Sequence, residues 1–400
     1  MSAYRHSHLG LQGLAYAGVV VGYVPLLTLL LPLKLSEMVP ADGQVGWLSL
    51  CAIGGAGSAS LGGVLGGWAS DRTRDGRLGR RGWMAVGLVG FLLSFLMIAR
   101  SAGPVSLLAA IVAFQFALNL ILGPLMAAFA EETPDKRRGL LGGVLALVYP
   151  AGALVGVAAT FAPIQAFGAE LLLVALATSA MVLPFILSRP PVTAPATSPS
   201  ALSDPGKRRI ADFGRAGVAR FLVQVAGGVV FAFLLYYLAD LPDAGSSKDI
   251  VAARVAGVAA VVTAASAPVG LAIGWATDRR GGWRPWLAGA ASVCALGLTI
   301  MAFAAGWPAA VAGYALFGAA LAVFLALHAS YAMKLLPSPR HRGRDLGLMN
   351  LSNTLPSMLG PGLTWAVLSF ADYRTLLLLL AGFSAAAALL MLSIGRPSPN

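Results

Sequence analysis

Hydrophobic residues in this chain are grouped into long, nearly uninterrupted runs that are separated by short polar gaps. Each run is close to the length of about 20 residues that an α-helix needs to cross a bilayer. The twelve runs are 12–34, 45–69, 83–100, 104–130, 140–162, 167–188, 213–240, 249–276, 285–305, 308–335, 346–371 and 374–394. Spans of a membrane β-barrel would be shorter and would alternate between apolar and polar positions. The pattern therefore predicts an all-α membrane protein with twelve transmembrane helices.

The composition is typical of a protein whose solvent is the lipid bilayer. Hydrophobic residues make up 58% of the 400 residues, charged residues make up 11%, and the mean hydropathy is +0.79. An ordinary soluble domain carries about 25% charged residues, and a globular core cannot hide so much apolar surface. The 48 glycines suit helices that approach one another closely in a membrane.

The net charge of +12 follows the topology and does not indicate a nucleic-acid partner. Twenty-three of the 28 lysines and arginines lie in every second polar gap, in the middle segment or near the two ends of the chain. The five others are Lys34, Arg100, Lys248, Arg254 and Arg374. Cytoplasmic loops carry an excess of Lys and Arg. We therefore predict a multi-pass protein of a bacterial-type cytoplasmic (inner or plasma) membrane, with both termini in the cytoplasm.

The middle of the chain contains a segment without apolar periodicity. Residues 189–206 read RPPVTAPATSPSALSDPG and are rich in Pro, Ser, Thr and Ala, a composition typical of flexible linkers. We predict an N-terminal six-helix half at 1–188, a cytoplasmic linker at 189–212 and a C-terminal six-helix half at 213–400.

The two predicted halves repeat each other at their connections. GWASDR, from Gly67 to Arg72, recurs as GWATDR from Gly274 to Arg279, 207 residues later. At a second connection Arg138, Gly139, Gly143 and Gly156 recur 204 residues on as Arg342, Gly343, Gly347 and Gly360. Two similar offsets at separate connections indicate a duplicated six-helix unit, the arrangement of transporters with two pseudo-symmetric halves.

The stretch from Gly66 to Met84, GGWASDRTRDGRLGRRGWM, resembles the signature loop between the second and third helices of the major facilitator superfamily. The resemblance covers the whole chain and implies a transporter that works by alternating access. Within the superfamily, the pattern DRTR…GRR…W is similar to the sugar-handling branches, the glycoside–pentoside–hexuronide symporters and the sucrose-type carriers. The sequences RFL at 220–222, YYLAD at 236–240 and RGRDLGLMNLSNTLPSMLGP at 342–361 also resemble those branches.

The resemblance implies a gate at the cytoplasmic ends of the helices, which in the family closes when the transporter faces outward. Asp71 would accept hydrogen bonds from the free N–H groups at the start of the eleventh helix, near Asp345–Gly347, and Asp278 would do so at the start of the fifth. The other predicted members are Gly67, Arg72, Arg80, Arg81, Glu131, Arg138, Gly274, Arg279 and Arg342. The alternative is a simple positive-inside anchor. It stays open for Arg74 and Arg77, but an anchor needs no repeated acid.

Polar residues inside the apolar runs are candidates for a solute site, because they are costly in lipid and usually face the bundle interior. They are Tyr23, Gln115, Asn119, Tyr149, Gln224, His328, Tyr331, Asn350 and Asn353. In the family, helices 1, 4, 7 and 10 line the central cavity. Neutral amides and aromatic rings suit a hydroxyl-rich or amphipathic solute. The alternative is that these side chains only join helices by hydrogen bonds.

The sequence gives little indication of energy coupling. No Asp or Glu lies in the middle of any run, whereas the sugar–cation symporters generally have buried acids on helices 2 and 4. His328 is a coupling candidate, because an unperturbed histidine titrates near pH 6.5. A coupled proton or sodium ion and facilitated diffusion all stay open.

The favoured function is secondary active or facilitative transport of a small solute, with a sugar or glycoside-like compound as the leading substrate. The alternative is a proton-driven exporter of amphipathic drugs or metabolites. An enzyme is disfavoured, because the four histidines are scattered and have no carboxylate partners in the sequence pattern. A non-transporting sensor is disfavoured for want of a long soluble domain. A non-catalytic role is also predicted for the two cysteines.

Cys51 and Cys294 lie inside apolar runs, where they are typical small core residues, and nothing indicates a metal site or a catalytic thiol. We predict no metal and no cofactor, and we expect a monomer in the bilayer.

Overall fold

The protein is described here by a computed structural model. It describes residues 6–74, 76, 78–134, 137, 140–142, 144–145, 148, 167–189, 207–241, 248–280, 282–337 and 341–395. The helices are α1 (His6–Pro25), α2 (Leu31–Met38), α3 (Ala41–Arg72), α4 (Gly79–Arg100), α5 (Pro104–Glu132), α6 (Phe167–Leu187), α7 (Lys207–Ala239), α8 (Lys248–Arg280), α9 (Trp283–Ala302), α10 (Trp307–Lys334), α11 (Arg342–Leu368) and α12 (Tyr373–Ser393). The described part of the chain contains no β-strand.

Ten segments within these helices are long and apolar enough to cross a membrane. Each corresponds to one predicted run, and α1 and α2 together form the first. The eleventh run is helical as well, but its polar residues keep α11 out of this set. Most of the fifth run, 140–162, lies outside the described residues.

The first run contains a local irregularity that the hydrophobic pattern does not show. Residues Leu26–Leu30 form a π-helical turn between α1 and α2, and the Leu31 N–H donates to the Leu26 carbonyl five residues back. Pro32 follows directly. A proline ring clashes with the carbonyl four residues before it and cannot donate a hydrogen bond. The wider turn accommodates the proline without ending the helix.

The chain divides into two compact units. Unit 1 consists of Met1–Asp135, Leu147–Pro205 and Leu336–Thr354, and unit 2 of Lys136–Ala146, Gly206–Leu335 and Leu355–Asn400. Helix α11 therefore contributes its first part to unit 1 and the rest to unit 2. The helix α7 begins at Lys207, six residues before its apolar run.

Unit 1 is built by close helix packing through small residues and by an aromatic core. Adding a Cβ atom at Gly123 of α5 would place it 2.8 Å from the Gly63 carbonyl oxygen of α3, so only glycine permits this approach. The rings of Phe91, Phe95 and Phe114 pack with centroids 4.5–5.8 Å apart between α4 and α5. These contacts fix α3, α4 and α5 relative to one another.

Unit 2 has an equivalent small-residue contact between α9 and α10, where a Cβ at Gly297 would lie 2.7 Å from the Gly313 carbonyl oxygen. Its core joins α7, α9, α10 and α12 through buried aliphatic and aromatic side chains. The buried Tyr237 hydroxyl donates to the Met301 carbonyl at 2.6 Å. That bond satisfies a polar group that would otherwise be stranded in an apolar core.

The start of α12 is fixed by a side-chain cap. The Asp372 carboxylate accepts hydrogen bonds from the Thr375 backbone N–H and the Thr375 hydroxyl, both at 2.8 Å. These hydrogen bonds hold the pKa of Asp372 below its ordinary value, because they favour the ionised form. Capping of this type satisfies an N–H group that the helix itself leaves free.

Candidate functional site

The start of α11 is bound by an acid from the end of α3. The Asp71 Oδ1 accepts the Gly343 N–H and Oδ2 accepts the Arg344 N–H, both at 2.9 Å. The first N–H groups of a helix have no partner inside the helix and carry its positive dipole. A carboxylate that receives two of them is therefore both hydrogen-bonded and electrostatically favoured. The contact, at Gly343 and Arg344, lies directly before the segment Asp345–Gly347 that the family resemblance implies.

Arg80, in the first turn of α4, neutralises this acid. Its Nη2 lies 2.6 Å from Asp71 Oδ1 and 2.7 Å from Glu131 Oε1, and its Nη1 donates to the Ser70 hydroxyl at 2.7 Å. The side chains of Arg80 and Asp71 are 6% and 5% exposed. Because a guanidinium can serve several acceptors in one plane, a single arginine joins α3, α4 and α5. We call Asp71, Arg80, Glu131 and the N–H groups of Gly343 and Arg344 the Asp71 cluster.

Beside the Asp71 cluster, α3 and α11 touch through glycine. Any Cβ atom on Gly67 would overlap the Gly343 carbonyl, and a Cβ on Gly347 would lie 2.6 Å from the Gly63 carbonyl oxygen. The backbones can lie this close only without side chains. Gly67, predicted as part of the gate, is thus the residue that allows Asp71 to reach α11.

A second charged group binds four helix ends of unit 1 together. The Glu132 carboxylate at the end of α5 accepts from Arg81 Nη1 at 2.6 Å and lies 2.7 Å from His8 Nε2. Arg81 also donates to the Ser188 hydroxyl, just past α6, and covers the Phe185 ring at 4.9 Å. The expectation that no histidine has a carboxylate partner is wrong for His8. His8 and Glu132 are 124 positions apart in the sequence, so sequence inspection does not reveal this pair.

The amide candidates on α5 and α11 bind one another. The Asn353 Nδ2 donates to Asn350 Oδ1 at 2.8 Å, the Asn350 Nδ2 donates to Asn119 Oδ1 at 3.2 Å, and the Asn119 Nδ2 donates to the Gln115 carbonyl at 2.9 Å. The Gln115 side chain lies beside Gly55 of α3. Four of the predicted solute residues are therefore neighbours in unit 1.

The candidates in unit 2 are arranged differently. His328 is fully buried; its Nε2 lies 2.8 Å from the Ala216 carbonyl and its Nδ1 lies 3.3 Å from Arg220 Nη1. A carbonyl only accepts and a guanidinium only donates, so this arrangement uses the neutral ring with its proton on Nε2. His328 joins α7 to α10, and its role in coupling stays a prediction.

The other predicted solute residues are Tyr331, Tyr23, Gln224 and Tyr149. Tyr331 stacks on Trp283 at 6.2 Å, and its buried hydroxyl has no hydrogen-bond partner within the described residues. Tyr23 on α1 and Gln224 on α7 are half-buried. Tyr149 lies outside the described residues.

The remaining predicted gate residues within the described part of the chain lie on α3, α8 and α11. Arg72 is exposed, with its guanidinium 5.9 Å from the Trp68 ring, and Arg342 is half-buried in the first turn of α11. In unit 2, Gly274 is buried on α8, and the exposed Arg279 lies 3.8 Å over the Trp275 ring. The Asp278 side chain and Arg138 lie outside the described residues.

The structure adds residues to the site that sequence inspection missed. Gly343 was noted only as a repeat position, and Gly347 only as a repeat position and as the end of the segment expected near Asp71. Ser60 and Thr354, whose hydroxyl oxygens lie 2.6 Å apart, were not noted. The spacing 343, 347, 350 and 354 places these four residues on one face of α11, and that period could have revealed the face. Within the described residues, no group of three or more His, Cys, Asp or Glu side chains could hold a metal ion.

Comparison with known structures identifies the fold. The chain matches the human organic anion transporter MFSD10 (TETRAN) with a TM-score of 0.74 at 17% identity, over 96% of this chain and 98% of that one. It matches the proton:xylose symporter XylE, bound to 6-bromo-6-deoxy-D-glucose, with a TM-score of 0.76 at 15% identity, over 97% and 96%. It matches the transporter FucP in the outward conformation with a TM-score of 0.72 at 14% identity, over 98% of this chain and 100% of that one. At these identities the likeness shows the fold alone, and it confirms the predicted twelve-helix architecture.

Comparison at the level of sequence identifies the family. No curated protein matches the chain significantly. The family model of the Major Facilitator Superfamily matches residues 10–306 and 242–400. Members of that superfamily are multi-pass membrane transporters and are generally not enzymes. The chain belongs to the major facilitator superfamily.

Proposed function

We propose that this protein is a secondary transporter that moves a small, neutral, hydroxyl-bearing solute of the sugar or glycoside type across the membrane by alternating access. The observation that carries the proposal is the contact between Asp71 and the start of α11. A charged side chain bound to free helix N–H groups can be released and re-formed without unfolding either helix. Such a contact suits a gate that opens in every cycle.

The Asp71 cluster is the gate in this proposal. Hydrogen bonds to charged groups contribute about 1.5–3 kcal/mol each, so two of them hold α11 firmly but reversibly. The closed arrangement leaves Asp71 neutralised by Arg80 at 2.6 Å. When α11 moves away, Arg80 still pairs with Asp71 and Glu131, and the acid is not left as an isolated buried charge. Arg80 thereby lowers the cost of opening.

The positive charge of the connections supports a cytoplasmic position for this gate. The segment 70–82 carries five arginines, and cytoplasmic connections are enriched in such residues. Both termini would then lie in the cytoplasm of a bacterial-type cell, and the protein would close on that side when it accepts solute from outside.

The solute site is proposed among the polar side chains of the apolar helices: Tyr23, Gln115, Asn119, Tyr149, Gln224, His328, Tyr331, Asn350 and Asn353. Neutral amides that both donate and accept are suited to hydroxyl groups. The structural similarity to XylE, a proton:xylose symporter, supports a sugar-like substrate and a coupled proton. The alternatives are a coupled sodium ion and facilitated diffusion. The similarity to MFSD10, an organic anion transporter, supports the second candidate, export of an amphipathic compound.

The proposal is tested with purified protein in proteoliposomes. Uptake of radiolabelled xylose, fucose, glucose and a β-glucoside is measured with and without a pH or sodium gradient. Flux of at least one sugar above that of protein-free vesicles is expected. If none of these solutes moves, but amphipathic cations or anions do, the sugar assignment is wrong and the exporter candidate holds.

The gate is tested in the same vesicles with Asp71→Asn. The amide keeps one acceptor but presents N–H groups to N–H groups, so loss of one charge-assisted bond should lower flux about tenfold or more. Asp372→Asn, at the exposed cap of α12, is the matched control and should keep its flux. Undiminished flux in Asp71→Asn, at equal protein incorporation, would contradict the gate.

A further inference from the structure

The face of α11 that lies in unit 1 makes contacts well beyond the Asp71 cluster. Gly343 and Gly347 meet α3, Asn350 meets α5, and Thr354 meets α3 again. These positions are spaced by four, three and four residues, so they form one continuous stripe along the helix. Thr354 lies about 16 Å along the axis from Gly343, since a helix rises 1.5 Å per residue. The stripe therefore reaches far into the apolar region.

The inner end of the stripe is held by uncharged groups. The Asn350 Nδ2 donates to Asn119 Oδ1 at 3.2 Å, and the hydroxyl oxygens of Ser60 and Thr354 are 2.6 Å apart. A Cβ on Gly63 would lie 3.5 Å from Asn350 Nδ2 and 3.9 Å from Asn119 Oδ1. These are ordinary van der Waals distances, so the two amides meet directly beside the α3 backbone at Gly63. We call Asn119, Asn350, Ser60 and Thr354 the inner contact.

We propose that the inner contact is a second gate element, which holds α11 against α3 and α5 independently of the Asp71 cluster. The inference rests on the proposed transport function and adds to it, because it assigns Asn119 and Asn350 as positioning residues of the gate. Both amides bind each other in the closed arrangement. The paired atoms, Asn350 Nδ2 and Asn119 Oδ1, become free to bind a solute or water when α11 moves away.

The two elements differ in their chemistry and are far enough apart to act separately. Asn350 lies about 10 Å along α11 from Gly343, and the effects of mutations at such separations usually add. The Asp71 cluster depends on charge, whereas the inner contact consists of neutral amides and hydroxyls. Removing Asp71 alone therefore frees the start of α11 but leaves the helix held at its inner end.

Chemical labelling between the two elements tests this without knowledge of the solute. Val64 of α3 is half-buried, and a Cβ on Gly347 would lie 2.8 Å from its Cα. In a background with Cys51→Ala and Cys294→Ala, a Val64→Cys reporter should react faster with a water-soluble maleimide when α11 moves away. The rate is measured in lipid nanodiscs for Asp71→Asn, Asn350→Ala, Thr354→Val and the double variant Asp71→Asn/Asn350→Ala.

An interhelical hydrogen bond in a membrane protein shifts an equilibrium by about threefold. Asn350→Ala and Thr354→Val should each raise the labelling rate by about that factor, and Asn350→Ala should do so again in the Asp71→Asn background. Thr364→Ala is the matched control, because the Thr364 hydroxyl donates only within α11, to the Gly360 carbonyl, and its rate should equal that of the parent. Unchanged rates in Asn350→Ala and Thr354→Val, or a double variant no faster than Asp71→Asn, would overturn the proposal.

Unfolding is distinguished from gate opening with the native Cys294, which is fully buried in unit 2. In a Cys51→Ala protein that retains Cys294 and Val64, the rate at which maleimide labels Cys294 should be the same with and without Asn350→Ala. Faster labelling of Cys294 would mean that the variant loosens the fold, and would overturn the gate interpretation. Absence of transport in vesicles would reject the proposed function. The labelling rates test the inner contact separately, because they report movement of α11 and require no transported solute.

Discussion

The connection between α3 and α4 in unit 1 and that between α8 and α9 in unit 2 begin with nearly the same six residues, GWASDR and GWATDR. Their surroundings differ. In unit 1, Arg80 and Arg81 at the start of α4 pair with Glu131 and Glu132 at the end of α5. In unit 2, the end of α10 presents Leu335 and Leu336, 204 residues after those two acids.

Of the three arginines at the second connection, Arg279, Arg280 and Arg284, the last lies 204 residues after Arg80 and has another kind of partner. Arg284, near the start of α9, donates to the backbone carbonyls of Met391 and Leu392 at the end of α12. The last carbonyls of a helix are free and carry its negative dipole, so they attract a cation without any acidic side chain. A duplicated motif thus keeps its residues while the source of its electrostatic stabilisation changes from carboxylates to a helix end.

The largest difference between the two connections is expected on removal of their arginines. Arg80→Met leaves the buried Asp71 without its cation, while Glu131 keeps only the more exposed Arg74 at 3.5 Å. Breaking a buried pair in this way costs about 3–5 kcal/mol. Arg284→Met leaves only helix-end carbonyls and should cost about 1 kcal/mol or less. Thermal unfolding in one detergent measures both. Equal losses would show that unit 1 does not depend on its charges more than unit 2 does.

A smaller loss of stability is expected on substitution of Gly67, the glycine that allows α3 to contact α11 closely. Gly67→Ala places a methyl group against the Gly343 backbone, and overpacking of this kind costs about 1–3 kcal/mol. Gly57→Ala, on the same helix with open space around its Cβ position, is the control and should be neutral or stabilising because alanine favours helix. If both variants have the same melting temperature, close contact between α3 and α11 is not required.

The smallest loss of stability is expected on substitution of Asp212, the acid that binds the chain just after α12 in unit 2. Asp212 accepts from Arg215 at 2.7 Å and from the Gly395 N–H at 3.2 Å, and the Arg215 side chain is 42% exposed. Because solvent screens such a pair, Asp212→Asn should cost under about 1 kcal/mol. The variant for comparison is Glu132→Gln in unit 1. The partners of Glu132, His8 and Arg81, are largely buried, so Glu132→Gln should have a lower melting temperature than Asp212→Asn. The reverse order would contradict the contrast between the units.

The helices could be predicted closely from the sequence because lipid imposes a simple requirement. Each span must hide its backbone polar groups in its own hydrogen bonds and present apolar side chains over a fixed length. The run 104–130 therefore becomes α5 at Pro104–Glu132, and 83–100 becomes α4 at Gly79–Arg100. The exception is the turn at Leu26–Leu30, where a proline acts on backbone geometry that hydrophobicity does not describe.

The partners of the polar residues were harder to predict. The repeat indicated that Asp71 has a role, and the resemblance indicated α11 as its partner; the structure places the contact at Gly343 and Arg344. Nothing along the chain indicates that His8 lies beside Glu132, or that Asn350 donates to Asn119 and not to a solute. Such pairs join residues more than 100 positions apart.

The sequence by itself determined the number, length and apolar character of the helices and the duplication of the chain, because these follow from local periodicity and from the thickness of a bilayer. Only the tertiary structure decided which polar groups satisfy one another. A buried donor donates its hydrogen bond to whichever acceptor the packed helices bring within about 3 Å, and that distance depends on the rotation and register of each helix against its neighbours. Close contacts such as Gly63 with Gly347 set that register, and the hydrogen bonds of α11 follow from it.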